Sequence, residues 1–161
     1  MKNIISVIAL AIALSASAQD QKQAIAANLD LWHESAAKGK FDQYFGLMTK
    51  DAIFIGTDPM ENWNVEQFKA FARPYFDKGA AWNFKPVERN IYVSGDIAWF
   101  DELLDTWMKL CRGSGVMKKV DGKWLIQHYV LSMTIPNDNA TEVIKIIAPL
   151  EDAALEKIRK K

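Results

Sequence analysis

Hydrophobic and polar positions change their period midway along the chain. Between residues 21 and 38 the apolar positions follow helical spacing, at Ile25, Leu29, Trp32 and Ala36, so they fall on one face of a helix. From residue 82 onward the period is two, as in strands with one buried face. The pattern predicts helices first and a sheet afterwards.

The segments between and beyond these two regions extend the plan. Asn64 and Gln67 form a capping box that opens a helix carrying Phe68, Phe71 and Tyr75 on one side. The full set of predicted elements is a helix over 21–38, a short helix over 41–48, a strand over 52–57, the capped helix, strands over 82–94, 97–104, 111–120 and 123–135, and a tail from about 141 that Pro149 kinks or divides. This order is typical of an α+β fold.

One predicted hairpin carries an unusual pair of charges. Strands 87–94 and 97–104 are joined by a glycine-containing turn at 95–96, and a two-residue loop places Ile91 opposite Phe100 and Arg89 opposite Glu102. The same face carries apolar residues, namely Val87, Ile91, Val93, Ala98, Phe100 and Leu104. A charge on an apolar face is costly unless it is paired. The pair therefore marks either a polar spot in a ligand cavity or a structural ion pair.

The opposite face of the predicted sheet mixes aromatic and polar side chains. It carries Trp99, Asp101 and Leu103 on one strand and Gln127, Tyr129 and Leu131 on another. This mixture favours a subunit interface, and hence a homodimer formed through the sheet. A monomer that exposes these residues is the alternative.

The N-terminus has the three parts of a secretory signal peptide. Lys2 precedes an apolar run from Ile4 to Leu14, and small residues follow as far as Ala18. The run is shorter than the ~20 apolar residues that span a bilayer. We therefore expect a signal peptide over 1–18, a periplasmic or secreted location, and one domain over 19–161 with a helical tail over 139–161. An uncleaved interfacial anchor is the alternative.

Charge and cysteine content exclude several classes of protein. Lys+Arg and Asp+Glu are both 20, and this balance argues against a nucleic-acid partner or binding to an anionic membrane. Cys111 is the only cysteine, so an internal disulfide is excluded and a buried apolar role is expected. Neither histidine has a metal-ligating residue three or four positions later, so the sequence predicts no metal site, and no motif requires a cofactor.

Seven segments occur in a specific order: LWHESAA (31–37), FIGTD (54–58), ENW (61–63), AWFDELL (98–104), RGSGV (112–116), DGKW (121–124) and YVLS (129–132). In this combination the chain resembles the SnoaL-like branch of the nuclear transport factor 2-like superfamily. The resemblance implies a cone-shaped barrel in which a curved antiparallel sheet wraps around N-terminal helices and a pocket, often with dimerisation through the sheet. It leaves activity open, because the superfamily includes steroid isomerases, polyketide cyclases and dehydratases alongside members without catalysis.

Ionisable residues expected near the pocket are the candidate catalytic groups. Glu102 is either a general base, with Arg89 holding an anionic or carbonyl ligand, or half of a closed ion pair that fixes register. A neighbouring arginine lowers a carboxyl pKa and makes it a poorer base near neutrality. His33 and His128 are either proton shuttles or hydrogen-bonded structural residues, and His33 lies in a family-like segment.

Two further regions could contribute to a pocket. The loop after the first strand carries Asp58 and Glu61, which either act as acid or base at the rim or serve turn chemistry. Arg112 points either inward or outward, because a two- or three-residue loop at 121–122 swaps the faces of the strand. Candidate ligand contacts are Trp32, Phe54, Glu61, Trp63, Arg89, Phe100, Arg112 and His128.

We therefore expect a domain that binds a small, partly apolar molecule in a conical pocket. If the protein is an enzyme, the expected chemistry is cofactor-free acid–base catalysis of the isomerase, cyclase or dehydratase type. His33, Asp58 and Glu102 would then exchange protons, while an arginine stabilises negative charge. The alternatives are a non-catalytic ligand-binding protein and a dimerisation module.

Overall fold

A computed structural model describes the backbone of residues 2–160 and the side chains of residues 19–160. The predicted signal segment, 1–18, lies outside the residues whose side chains are described. The elements are α1 (Lys2–Ala37), α2 (Phe41–Gly46), β1 (Met48–Ile55), β2 (Asn62–Asn64), α3 (Val65–Phe76), β3 (Lys85–Ser94), β4 (Ile97–Thr106), β5 (Lys109–Val120), β6 (Lys123–Met133), a 3-10 turn (Asn137–Asn139) and α4 (Ala140–Arg159).

A six-stranded sheet in the order β2-β1-β6-β5-β4-β3 wraps around the helices. This confirms the predicted α+β fold with a curved sheet, N-terminal helices and a C-terminal helix. The sheet is antiparallel except for the β1–β6 pair, which is parallel. The strand β2 and the parallel pairing are absent from the sequence-based prediction, because three residues with no alternating pattern give no strand signal.

Helix α1 packs on the inner face of the sheet through its predicted apolar stripe. Ile25, Leu29 and Ala36 are fully buried, and Trp32 is nearly so. At the start of α3 the Asn64 side chain accepts the N–H of Gln67 while the Gln67 side chain accepts the N–H of Asn64, which confirms the capping box. Helix α3 runs on through Pro74 to Phe76.

The β3–β4 register is the predicted one. Ser94 faces Ile97 across a two-residue turn, and Arg89 faces Glu102 on the inner side. The inward placement of Val87 is wrong: its side chain is 61% exposed, because the register shifts between Pro86 and Glu88 and leaves Val87 outside the alternating pattern.

A second bulge reverses the predicted faces of β6. Met117 pairs with Ile126 but Val116 pairs with His128, so Gln127 is an extra residue in the strand. Tyr129 and Leu131 are consequently buried on the inner face, whereas the sequence pattern placed them on the outer one. His128 lies on the outer face instead of sharing the side of Trp124 and Ile126.

The C-terminal helix stands apart from the sheet. Helix α4 continues through Pro149 without a break and contains no buried residue. Its exposed apolar side chains are Ile144, Ile146, Leu150, Leu155 and Ile158. No helix in the described part of the chain combines the length and apolar character needed to span a bilayer.

Candidate functional site

Glu102 lies at the centre of the inner face with 1% of its surface exposed. Its Oε1 accepts hydrogen bonds from Nε2 of His33 at 2.7 Å and from the Tyr129 hydroxyl at 2.9 Å. Its Oε2 accepts a hydrogen bond from Nε of Arg89 at 2.9 Å. Nη2 of Arg89 lies 2.9 Å from the same oxygen as an ion-pair contact. Because a carboxylate only accepts hydrogen bonds, His33 carries its proton on Nε2. We call these four residues the Glu102 cluster.

Arg89 ties this cluster to α1. Its Nη1 donates to the carbonyl of Ala26 at 3.2 Å and to Oδ1 of Asp30 at 2.8 Å. The guanidinium therefore bridges one buried and one exposed carboxylate across the helix–sheet boundary. The planar guanidinium of arginine can donate to several acceptors at once, which the ammonium of a lysine would do less well here.

The cluster holds Glu102 in its ionised form. Burial alone raises a carboxyl pKa, but the hydrogen bonds and charges supplied by His33 and Arg89 outweigh it and lower the pKa of Glu102 below its ordinary value of 4.5. Burial, together with the charge of Glu102 and the hydrogen bond to it, raises the pKa of Tyr129 well above 10.0. At neutral pH the Tyr129 hydroxyl therefore donates to an ionised Glu102 carboxylate.

A glycine makes room for the tyrosine donor. Gly113 on β5 faces Glu102 and Leu131 in register, and a Cβ at this position would overlap the Tyr129 hydroxyl. Only a residue without a side chain lets that hydroxyl reach Glu102 across the sheet. The glycine-rich segment of β5 therefore serves packing inside the curved sheet.

An aromatic cavity lies apart from this cluster, at the mouth of the cone. This mouth cavity has a volume of about 240 Å³ and is lined by residues from β1, β2, α3, β6 and the connecting loops. Eight of its lining residues are aromatic: Phe54, Trp63, Phe68, Phe71, Tyr75, Trp82, Phe84 and Trp107. None of the Glu102 cluster lines it.

Glu61 contributes a carboxylate to the mouth cavity. Its Oε2 accepts the backbone N–H of Asp58 at 3.2 Å, and the side chain rests against Gly56, where a Cβ would overlap it. Asp58 itself accepts the N–H of Met60 at 2.8 Å. This hydrogen bond is turn chemistry, and Asp58 is exposed.

The model of the SnoaL-like domain family matches residues 25–136. The chain belongs to the SnoaL-like family. The comparison with curated proteins finds no match. Solved structures at 11–22% identity show the same fold.

Three solved structures illustrate this likeness. An NTF2-like protein of unknown function from Pseudomonas putida is 12% identical, with a TM-score of 0.60 over 78% of this chain and 92% of that one. An NTF2-like protein from Cytophaga hutchinsonii is 16% identical, with a TM-score of 0.60 over 71% and 98%. A proposed dehydratase of the NTF2-like family from Streptomyces avermitilis is 11% identical, with a TM-score of 0.64 over 73% and 99%.

The SnoaL-like domain brings together only part of the predicted site. His33, Arg89 and Glu102 form one cluster, and Phe54, Glu61 and Trp63 line the mouth cavity. The remaining predicted site residues lie apart: Trp32 and Phe100 in the core, Asp58 in an exposed turn, and Arg112 and His128 on the outer face. Their proposed catalytic or binding roles stay predictions.

Several residues of both sites were missed from the sequence. Tyr129 was assigned to the wrong face because of the bulge at Gln127. The sequence placed Trp82 at the start of a strand over 82–94, but β3 begins at Lys85 and Trp82 lies in the preceding loop. Trp107 lies in the turn between β4 and β5, where no periodic pattern indicates which way a side chain points. Their aromatic character was the only available signal. Within residues 19–160, no group of three or more His, Cys, Asp or Glu side chains could hold a metal ion.

We predict that Glu102→Gln lowers the free energy of unfolding of the SnoaL-like domain by about 3–5 kcal/mol, because Arg89 is left without its buried countercharge. Since the folded pKa of Glu102 is lowered, the stabilisation is complete above its ordinary value and is lost as the pH falls through the folded value. Urea unfolding of the wild-type protein and of Glu102→Gln, at pH 7 and at steps below pH 4.5, measures the difference in the free energy of unfolding.

The matched control is Glu34→Gln, which removes an exposed carboxylate that pairs with Lys38 one helical turn away. We expect it to change the free energy of unfolding by less than about 0.5 kcal/mol. Equal, small effects of both substitutions, or a difference that widens at low pH, would contradict the structural role of Glu102.

Proposed function

We propose that this SnoaL-like domain binds a small, partly apolar molecule in the mouth cavity. The observation that carries the proposal is an open volume of about 240 Å³ surrounded mainly by aromatic side chains. An enclosed apolar cavity of about 150 Å³ already takes up benzene. The lining contains few polar side chains among many apolar ones, which is the usual composition of a ligand pocket.

Binding is better supported than acid–base catalysis by the Glu102 cluster. A general base has to reach the proton that it removes, and Glu102 has both oxygens engaged by His33, Arg89 and Tyr129. A lowered carboxyl pKa also weakens a base. Isomerase-, cyclase- or dehydratase-type chemistry is the alternative proposal, and it would require the cluster to open.

Export is part of the proposed function. Lys2, the apolar run up to Leu14 and the small residues up to Ala18 support a cleaved signal peptide and a periplasmic or secreted location. The mature domain would then meet its ligand outside the cytoplasm.

We predict that tert-butylbenzene, a compact neutral aromatic probe, binds the purified protein and quenches its tryptophan fluorescence. Trp63→Ala should weaken this binding about tenfold, since an aromatic contact contributes about 1 kcal/mol beyond the area that it buries. Fluorescence titration and ligand-observed NMR provide the measurement.

Trp99→Ala is the matched control, because it also removes a tryptophan but from the outer face, where 48% of the side chain is exposed. It should leave the affinity unchanged. If wild type fails to bind the probe, or if both variants lose affinity equally, the mouth cavity is not the ligand site.

We also propose a homodimer formed through the outer face of the sheet. Tyr92 and Trp99 are exposed there with their rings stacked at 5.7 Å, and Ile97 is exposed on the same strand as Trp99. Exposed aromatic side chains on one sheet face are typical of an interface core.

Trp99→Asp should convert the dimer to a monomer, because it places a charge in the centre of the proposed interface. Sedimentation velocity at micromolar concentration measures the oligomeric state. Trp107→Asp, at the mouth, removes a side chain that is 80% exposed and should leave the dimer intact. A monomeric wild type, or a Trp99→Asp variant that stays dimeric, would contradict the proposal.

A further inference from the structure

The described lining of the mouth cavity carries negative charge and no positive charge. Among the described residues that line it, Glu61 is the only charged one, and no lysine, arginine or histidine takes part. The other polar contributions come from Thr57, Tyr75 and the indole rings of three tryptophans. A ligand in this space therefore meets one carboxylate and no basic side chain.

Aromatic rings make up most of the lining around that carboxylate. The ring of Trp63 is stacked on Phe71 at 4.4 Å and 28°, and lies within 9° of the plane of Phe68. Phe68 and Trp82 are also stacked, at 6.0 Å and 19°. The face of an aromatic ring is the negative end of its quadrupole, and it attracts cations whose centres approach within ~6 Å.

A backbone hydrogen bond and close packing hold the carboxylate of Glu61 in place. The backbone N–H of Asp58 holds Oε2 at 3.2 Å, and the absence of a side chain at Gly56 lets the carboxylate lie over the end of β1. Oε1 has no hydrogen-bond donor among the described residues. One fixed, available carboxylate oxygen thus faces a cavity with aromatic walls.

We propose that the ligand of the mouth cavity is an organic cation, either a protonated or a quaternary amine with an apolar or aromatic body. This inference rests on the proposed function, and it names the chemical class of the ligand. Aromatic walls favour the charged head and the apolar body alike, while Glu61 supplies the countercharge. An anion would face both the carboxylate and the negative ring faces.

A lysine at the rim behaves as the proposed ligand would. The ammonium of Lys78 lies 5.6 Å from the ring centroid of Tyr75, yet Lys78 does not line the cavity. The outer side of the rim already attracts a cation. Tyr75 therefore contributes less to ligand binding than Trp63 and Trp82, whose faces carry no such contact with any described cation.

The test compares two probes of the same shape. N,N,N-trimethylanilinium and tert-butylbenzene differ by one positive charge and have nearly equal volumes. We expect the cation to bind about tenfold more tightly to the wild-type protein, as one desolvated cation–aromatic contact together with a carboxylate would produce. Ligand-observed NMR titration gives both dissociation constants under one set of conditions.

Glu61→Gln removes the charge but keeps an acceptor for the Asp58 N–H. It should abolish most of the preference for the cation while leaving the affinity for tert-butylbenzene unchanged. The control is Glu66→Gln on α3, which removes an equal charge that pairs with Lys69 on the surface. It should leave the preference intact.

The outcomes separate this inference from the proposed function. If both probes bind equally, or if Glu61→Gln and Glu66→Gln reduce the preference by the same factor, the cation inference is overturned and ligand binding stands. If neither probe binds, both fail. A cation preference that is lost only in Glu61→Gln supports the inference.

Discussion

A buried, ionised carboxylate needs a full set of donors, and Glu102 draws its donors from three separate elements. His33 lies on α1, Arg89 on β3 and Tyr129 on β6. The bonds from Arg89 and Tyr129 link β4 to β3 and β6. The His33 bond to Glu102, with those from Arg89 to Ala26 and Asp30, joins α1 to the sheet and so positions the helix inside its curve. Removing a donor leaves the buried charge of Glu102 with less compensation.

This arrangement divides the inner face into two regions with different physical character. Around Glu102 the side chains of His33 and Tyr129 are buried, and both carboxylate oxygens accept hydrogen bonds. At the mouth the space is open and apolar, with Glu61 as the charged side chain among the described lining residues. Function depends on the site and not on the fold alone, so the proposed ligand would be selected by the residues at the mouth.

The parts that were predictable are those in which local chemistry fixes the answer. A two-residue turn sets the register of its hairpin, and for that reason the pairing of Arg89 with Glu102 follows from the sequence. The capping box at Asn64 and the apolar stripe of α1 are equally local. The curvature of the sheet was predicted only from the resemblance to the SnoaL-like family, because periodicity alone does not predict curvature.

The parts that were missed depend on irregularities and on distant assembly. A single extra residue, Gln127, exchanged the faces of Tyr129 and His128, and alternation of polar and apolar residues gives no warning of a bulge. The mouth cavity combines Phe54, Trp82 and Trp107 from three separate parts of the chain. No spacing rule connects such residues, so the cavity becomes visible only in three dimensions.

Glu102 in a structural role and a ligand at the mouth, as proposed, together give one expectation for a single titration. It follows the Glu102 side-chain carboxyl carbon by ¹³C NMR with and without tert-butylbenzene. We expect a midpoint below the ordinary value of 4.5 that the probe does not move. A midpoint near neutrality, or one that shifts when the probe binds, would contradict this expectation.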